Sequence, residues 1–380
     1  MNTRREFLRG ALGWGGLMLA GSWQLAASRE VEPRRRALDF LAARQSADGA
    51  WRSERYAAFR DGGALTPVIL WAWPASPSLD SGENYARGLR WLERLTDAQA
   101  TSAEPWIGLQ YPLFTASYAA QVLARAGDER RAQWWAGVTE RLRIRPALGW
   151  PEGDVACGAW SDSPTPPRFV APVPDMLAPN ISATVLALQG LAAARSGDLG
   201  AARPFVEQCQ NFAESPTPLD DGGFFFATGD PIRNKAGVAG HDARGQTRYR
   251  SYGSATCDGL LALQACGVPD DHPRCRAARD WLRTHADGLL HAGDWAKGRE
   301  AARAALVFYF AQGLATVLAG APEESWTAAC RRSLHEALGA SQMPDGSWQG
   351  HAPESCEDEP LLATAFALRA LAWRAPQQAS

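Results

Sequence analysis

The sequence predicts an all-α protein, an (α/α)6 toroid in which six outer helices enclose an inner ring of six. Segments with one apolar face alternate six times with segments that are apolar throughout. Turns rich in Gly and Pro separate many of them. In addition, the pattern Gln-x-x-x-Gly-x-Trp occurs near both ends, at 45–51 and at 342–348. Such repetition is typical of proteins built from stacked helix pairs.

Residues 1–28 are predicted to be a twin-arginine signal peptide. Arg4 and Arg5 lie in "TRREFLR", which closely matches the export signal, and the apolar run "GALGWGGLMLAG" follows. That run is short and rich in glycine for a spanning helix, and an uncleaved membrane anchor is the alternative. We therefore expect residues 29–380 to form one soluble toroid domain that does not span a membrane and is exported to the periplasm or beyond.

Net charge limits the kinds of partner that we expect, and the cysteine content limits the expected disulfides. The net charge is −2, and removal of the signal, with three arginines and one glutamate, leaves −4. A mildly acidic chain argues against nucleic acid or an anionic membrane as partner, and no protein partner is predicted. The seven cysteines form no Cys-x-x-Cys pair. They do not indicate a disulfide scaffold, although one or two bridges can form after export.

The outer helices are predicted from apolar residues at three- and four-residue spacing, with Arg and Glu between them. One face of each segment therefore meets water. The predicted outer helices are 34–45, 85–95, 130–142, 201–212, 275–285 and 327–338.

The inner helices are predicted from segments that are almost wholly apolar or small, as expected for helices buried on all sides. Four of them end in Gly, and three have Pro near the first helical position. The predicted inner helices are 63–73, 111–127, 179–197, 251–267, 300–320 and 359–373. Alternation of the two classes predicts a closed ring, and an open helical solenoid is the alternative.

The repeated heptapeptide follows the first outer helix and the last one, which would be neighbours in a ring. We expect its Gln to bond backbone at a helix end and its Trp to pack across that helix. The stretches 154–160 and 219–225 look like degenerate copies.

At these residues the chain resembles the prenyltransferase and squalene-oxidase repeat proteins, the group related to squalene–hopene cyclase. In that group the heptapeptides are called QW motifs and have a structural role. The resemblance covers nearly the whole mature chain, and "DDGGFFFATGD" (220–230) with "SYGSATCDGLLAL" (251–263) is similar to a single-toroid bacterial branch. It implies a toroid whose barrel binds an apolar isoprenoid-type ligand, with conversion of that ligand as a further option.

The chain also departs from that group. Squalene cyclases have two barrel domains and an Asp-x-Asp-Asp acid motif, and neither is found here, so squalene cyclisation is not expected. The candidate acids are Asp258 in a buried helix, and Glu357 and Asp358 at the start of the last inner helix. The alternative for Asp258 is a purely structural acid. The alternative for Glu357 and Asp358 is that they form, together with Glu359, a solvated charge cluster at a helix N-terminus.

Ligand contacts are predicted from aromatic residues on inner helices and from a long loop, 214–251, at the mouth of the barrel. Filled core is the alternative for the helical residues, and a simple cover over the barrel end is the alternative for the loop. The ligand-binding candidates are Tyr118, Tyr252, Phe308, Tyr309, Phe366, Phe225 and Arg250.

Other readings of the chain stay open. Carbohydrate enzymes also use (α/α)6 toroids, and sixteen Trp and the pair Asp258 and Asp358 suit sugar chemistry. A non-catalytic binding scaffold is a further alternative. The fold also resembles that of protein prenyltransferase β subunits, which bind zinc through Asp, Cys and His. However, the Asp-x-Cys spacing of those ligands is absent at Cys257. His241 and Asp242 are weak ligand candidates, and we expect neither metal nor cofactor.

Overall fold

The computed structural model describes residues 32–73, 82–321 and 324–372. The predicted signal peptide lies outside these residues. Within them, none of the helices is both long and apolar enough to cross a membrane. All seven cysteines lie in the described part, and all are free thiols.

Six helices form the outer ring, each with one buried and one exposed face. In the second of them, Gly88, Leu92 and Thr96 are buried at four-residue spacing. The outer helices are α1 (32–43), α3 (Glu83–Gln99), α5 (Glu129–Arg141), α7 (Arg203–Gln208), α9 (Pro273–His285) and α12 (Ser325–Ser341).

Six other helices form the inner ring and are buried on most sides, as their apolar sequences predict. They are α2 (Leu65–Ala72), α4 (Pro112–Arg125), α6 (Ile181–Ala193), α8 (Gly253–Ala265), α11 (Val307–Gly320) and α13 (Pro360–Leu371). Each packs against the next in chain order, and α13 packs against α2. The ring is therefore closed, which confirms the toroid and excludes the open solenoid.

The first heptapeptide joins α1 to its neighbours. The Trp51 Nε1 donates to the carbonyl of Leu41 at 2.7 Å, and the Trp51 backbone N–H donates to Thr66 Oγ1 at 3.0 Å. The Gln45 amide donates to the carbonyls of Gly49 and Asn84, both at 2.9 Å. Because Asn84 lies in the first turn of α3, this heptapeptide connects one outer helix to the next.

The second heptapeptide makes the same bonds across the closure of the ring. Trp348 donates to Leu338 O at 2.9 Å and to Thr364 Oγ1 at 3.0 Å. The Gln342 amide donates to Pro33 O at 2.8 Å, in the first turn of α1. The Gly346 backbone has a φ of +90°, and a Cβ there would lie 2.3 Å from the Arg36 carbonyl. The last outer helix is thus bonded to the first, as the repeat predicts.

The two degenerate copies share this geometry. The backbone N–H groups of Trp160 and Phe224 donate to threonine hydroxyls on the following inner helices, at 3.2 and 3.0 Å. The Gln of the second copy is Gln210, outside the predicted stretch, and it donates to Gly222 O and Arg274 O, both at 2.9 Å. Residues inserted between Gln210 and Gly222 hide this copy in the sequence.

Two predicted helices differ in extent. The predicted 300–320 helix is divided into α10 (Glu300–Ala304) and α11, with Ala305 and Leu306 between them. The predicted 201–212 helix is shortened to α7 because Gln210 pairs with Phe224 in a β-bridge. A small antiparallel hairpin, β1 (Val238–His241) and β2 (Thr247–Tyr249), lies in the long loop before α8.

Candidate functional site

A cavity of about 340 Å³ lies at the N-terminal ends of the inner helices. All six contribute to its wall from the residue before the helix or from the first two turns, so the positive ends of six helix dipoles meet there. The inner-helix residues of the wall are Leu65, Val68, Phe114, Tyr118, Ser182, Ser254, Tyr309, Leu362 and Phe366, with the N-cap residues Ala64, Tyr111, Asn180, Tyr252 and Leu306.

Aromatic rings make up most of the apolar wall. Tyr309 and Phe366 meet edge to face, with ring centroids 5.6 Å apart. The aromatic lining residues are Phe59, Tyr111, Phe114, Tyr118, Phe226, Tyr252, Tyr309 and Phe366. Among the described residues that line the cavity, none is Trp.

One side of the cavity is polar. The Asn180 Oδ1 caps α6 by accepting from the Ala183 backbone N–H at 2.8 Å. The Asn180 Nδ2 donates to Asp162 Oδ2 at 2.9 Å, which holds that carboxylate against the helix. Ser182 and Lys235 complete this side. Further polar residues of the lining are Ser254, Glu354, Ser355 and Glu357.

Asp258 lies directly behind the polar wall, in the second turn of α8. Its residue surface is 2% exposed. It accepts from Ser182 Oγ at 2.6 Å and from the Tyr309 hydroxyl at 3.1 and 3.2 Å. Burial raises the pKa of Asp258 to about 7, although both hydroxyls and the Lys235 charge lower it. The carboxyl thus bridges α6, α8 and α11 and reaches the cavity through two hydroxyl groups.

Lys235 enters the cavity from the loop between Phe226 and β1. Its Nζ lies 4.3 Å from the centroid of the Phe226 ring. Burial lowers the pKa of Lys235, and the charges of Asp162 and Asp258 oppose that effect. An amine thus lies close to the buried carboxyl of Asp258 in a low-dielectric setting.

The structure brings together five of the predicted site residues. Tyr118, Tyr252, Tyr309, Phe366 and Glu357 all line the cavity. Their roles in binding or catalysis stay predictions.

Three of the predicted ligand-contact residues do not line this cavity. Phe308 is buried in the core, because neighbouring helix positions point about 100° apart and Tyr309 takes the cavity side. Phe225 packs against Tyr249, with centroids 5.4 Å apart. Arg250 forms an ion pair with Asp294 near the surface.

The acidic stretch before α13 is buried rather than solvated. Glu357 accepts from the backbone N–H groups of Phe308 and Tyr309 at 2.9 and 2.6 Å and so caps α11. Burial raises the pKa of Glu357 to about 8, although these bonds lower it. Both oxygens are occupied, which favours a structural role.

Asp358 does not line the cavity. It accepts from Arg55 at 2.8 Å and from the Tyr56 hydroxyl. Glu359 caps α13 by accepting from the Leu361 N–H at 3.2 Å. The helix-terminus interpretation therefore holds for Glu359, while Asp358 is placed as a partner of Arg55.

The sequence did not single out Asp162, Asn180, Ser182 and Lys235 as site residues. Asn180 carried a signal, since Asn immediately before an apolar helix is a preferred N-cap. Asp162, Phe226 and Lys235 come from irregular loops, whose paths no periodicity predicts. Among the described residues, no three His, Cys, Asp or Glu side chains are grouped to hold a metal ion.

Solved structures with similar folds cover most of the chain. A type II terpene cyclase from Scytonema, MstE, with the product merosterolic acid A has a TM-score of 0.57 at 15% identity, over 90% of this chain and 96% of that chain. MstE with the substrate geranylgeranyl dihydroxybenzoate has a TM-score of 0.55 at 13% identity, over 91% of this chain and 97% of that chain. UGL with dGlcA-Glc-Rha-Glc has a TM-score of 0.51 at 14% identity, over 92% of this chain and 96% of that chain.

No protein-family model matches the chain, and no curated protein matches it either. At identities this low, the similarity to solved structures shows the fold alone. The helix ring described above and these structures agree: the chain has a terpenoid cyclase-like α/α toroid fold.

Proposed function

We propose that the protein binds an apolar, isoprenoid-type small molecule in the cavity, with the polar end of the ligand against Asn180, Ser182 and Lys235. The observation that carries this proposal is the lining, in which eight aromatic rings surround about 340 Å³. Pockets for small molecules typically have about 300–1,000 Å³ and are mostly apolar with a few polar groups. The cavity has the size and the division of chemistry that such a ligand needs.

The fold comparison supports the same ligand class. The MstE structures hold merosterolic acid A and geranylgeranyl dihydroxybenzoate, and this chain covers almost the whole of those chains. A second barrel domain is therefore not a feature of every type II terpene cyclase structure. The missing Asp-x-Asp-Asp motif remains the reason not to propose squalene cyclisation.

For any conversion of this ligand, Asp258 is the acid we propose. A carboxyl with a pKa of about 7 is partly protonated at neutral pH, which suits proton transfer. Its contact with the cavity runs through the hydroxyls of Ser182 and Tyr309. Those two groups would position the ligand and pass the proton.

An apolar ligand fits the site better than a saccharide. Glycoside hydrolysis needs two carboxyl groups flanking the scissile bond. Of the pair nominated from the sequence, Asp358 is bonded to Arg55 and Tyr56, and Asp258 lies behind the wall. Trp rings that suit sugar stacking are not among the described lining residues.

A titration of the purified mature protein with farnesol tests the proposal. The wild-type protein is expected to bind farnesol, measured by calorimetry. Ala64→Phe places a ring in the cavity mouth and is expected to weaken binding at least about tenfold, or about 1.4 kcal/mol. Ala126→Phe is the matched control, since Ala126 is the exposed C-cap of α4 at the opposite end of an inner helix. No binding by the wild type, or equal loss in both variants, would overturn the proposal.

Export by the twin-arginine route is a second part of the proposal, and it rests on residues 1–28 of the sequence. Replacement of Arg4 and Arg5 together by Lys is expected to retain the precursor in the cytoplasm, because the pair itself is read. Immunoblots of periplasmic and cytoplasmic fractions measure this, with Arg9→Lys as control. Normal export of the double variant would contradict the assignment.

A further inference from the structure

We propose that Lys235 is the reactive group of the cavity and that its amine forms a reversible imine with an aldehyde or ketone at the polar end of the apolar ligand. This inference rests on the proposed function and names the ligand class more closely. It concerns the ligand group that bonds to the Lys235 nitrogen, whereas the proposed function concerns the hydrocarbon part of the ligand, which the aromatic wall would contact.

The first support is the lack of a protein partner for the amine. Within the described part of the chain, the Lys235 Nζ makes no hydrogen bond or ion pair, and its contact is the face of Phe226. Phe226, Asp162 and Asn180 line the cavity beside it. Lys235 is half-buried and lines the cavity, so its amine is available to a polar group of a ligand there.

The second support is the choice of lysine over arginine. Of the 39 basic residues, only Lys235 and Lys297 are lysine. Arginine provides the cation in all the ion pairs found among the described residues. A guanidinium remains charged and is not a nucleophile, whereas a buried amine loses its proton more easily. The one basic residue that lines the cavity is thus of the type that can react with a carbonyl.

The third support is the electrostatic setting. Burial lowers the pKa of Lys235, and the nearby Arg233 lowers it further. The six inner-helix N-termini also disfavour an ammonium in the cavity. The charges of Asp162 and Asp258 act in the opposite direction and raise the pKa of Lys235. Burial therefore acts toward the neutral amine of Lys235 and toward the protonated carboxyl of Asp258, the two forms that a carbonyl addition uses.

The chemistry balances without an oxidant or reductant. The neutral amine attacks the carbonyl carbon, a C–N bond forms, and the carbonyl oxygen takes up a proton as the nitrogen gives one up. The hydroxyl of this carbinolamine then leaves as water, with a proton supplied from Asp258 through the Tyr309 or Ser182 hydroxyl. Loss of water gives the protonated imine and the Asp258 carboxylate, and return of the imine proton to Asp258 through the same hydroxyls gives the neutral imine. Hydrolysis reverses the reaction.

Reductive trapping with farnesal tests the inference. The mature protein is incubated with farnesal and cyanoborohydride, digested, and its peptides are measured by mass spectrometry. Lys297 is exposed and serves as an internal control in the same molecule. We expect a farnesyl adduct at Lys235 at least about tenfold above that at Lys297. Absence of an adduct at Lys235, or labelling no greater than at Lys297, would overturn the inference.

Two further ligands separate this inference from the proposed function. Lys235→Arg keeps a cation but cannot form an imine, so it is expected to lose the farnesal adduct. If farnesoic acid binds equally to wild type and Lys235→Arg and farnesal yields no adduct, Lys235 serves as an ion-pair partner and the imine is excluded. If the wild type binds neither farnesol nor farnesoic acid, the proposed function itself fails.

Discussion

Trp348→Ala is expected to lower the free energy of unfolding by about 3–5 kcal/mol, the usual cost of removing a buried Trp side chain. Trp348 is 0% exposed, and its indole N–H bonds to Leu338 O at 2.9 Å. The change leaves a cavity at the closure of the ring and removes one of two hydrogen bonds to the Leu338 carbonyl, which also accepts from Ser341 Oγ at 3.1 Å. Trp51→Ala removes the equivalent contacts on α1 and is expected to cost a similar amount.

Equilibrium unfolding in urea measures both effects. Trp326→Ala is the control, since Trp326 lies on the half-buried side of α12 outside the heptapeptide. We expect it to cost about 1 kcal/mol, as partly exposed sites do. Losses below about 1 kcal/mol for both Trp348→Ala and Trp51→Ala would show that these rings do not hold the outer helices together.

Asp258→Asn is expected to change how stability depends on pH. The pKa of Asp258 in the folded protein is raised from 3.8 to about 7 by burial. Between those values the unfolded chain is ionised at this residue while the folded protein keeps the proton. Unfolding therefore releases a proton, so the stability of the wild type falls as pH rises through this window and levels off above it.

The size of the effect follows from the shift. Between pH 5 and pH 8 the wild type should lose roughly 2–3 kcal/mol relative to Asp258→Asn, whose side chain does not titrate. Urea unfolding of both proteins at the two pH values gives this difference directly, and other titrating groups cancel. Parallel pH profiles would show that the folded pKa of Asp258 is not raised and would remove it as the proposed acid.

The helix pairs could be predicted from the sequence because burial leaves a local pattern. A helix buried on all sides, such as α6, is apolar throughout, and a half-buried one, such as α3, is apolar every three or four residues. The heptapeptides added the order around the ring, since Gln342 and Gln45 bond to the next outer helix.

The cavity was only partly predictable. Tyr309 and Phe308 are adjacent aromatic residues, and only one of them faces the cavity. Which one does so depends on the helix break at Ala305–Leu306, and no Gly or Pro marks that break in the sequence. Lys235 and Phe226 reach the cavity from a loop fixed by long-range contacts, such as the Asn234 side chain bonding to Phe226 and Ala227. Hydrophobic periodicity predicts helices and strands, but it does not predict the path of such loops.

The most direct test of the proposed ligand class is mass spectrometry of the organic extract of the protein purified from its native cells. The account predicts an apolar, isoprenoid-type compound in the extract of the wild type and of Ala126→Phe, and much less of it in the extract of Ala64→Phe. A saccharide in the wild-type extract, no small molecule at all, or the same compound at equal yield in Ala64→Phe would contradict it.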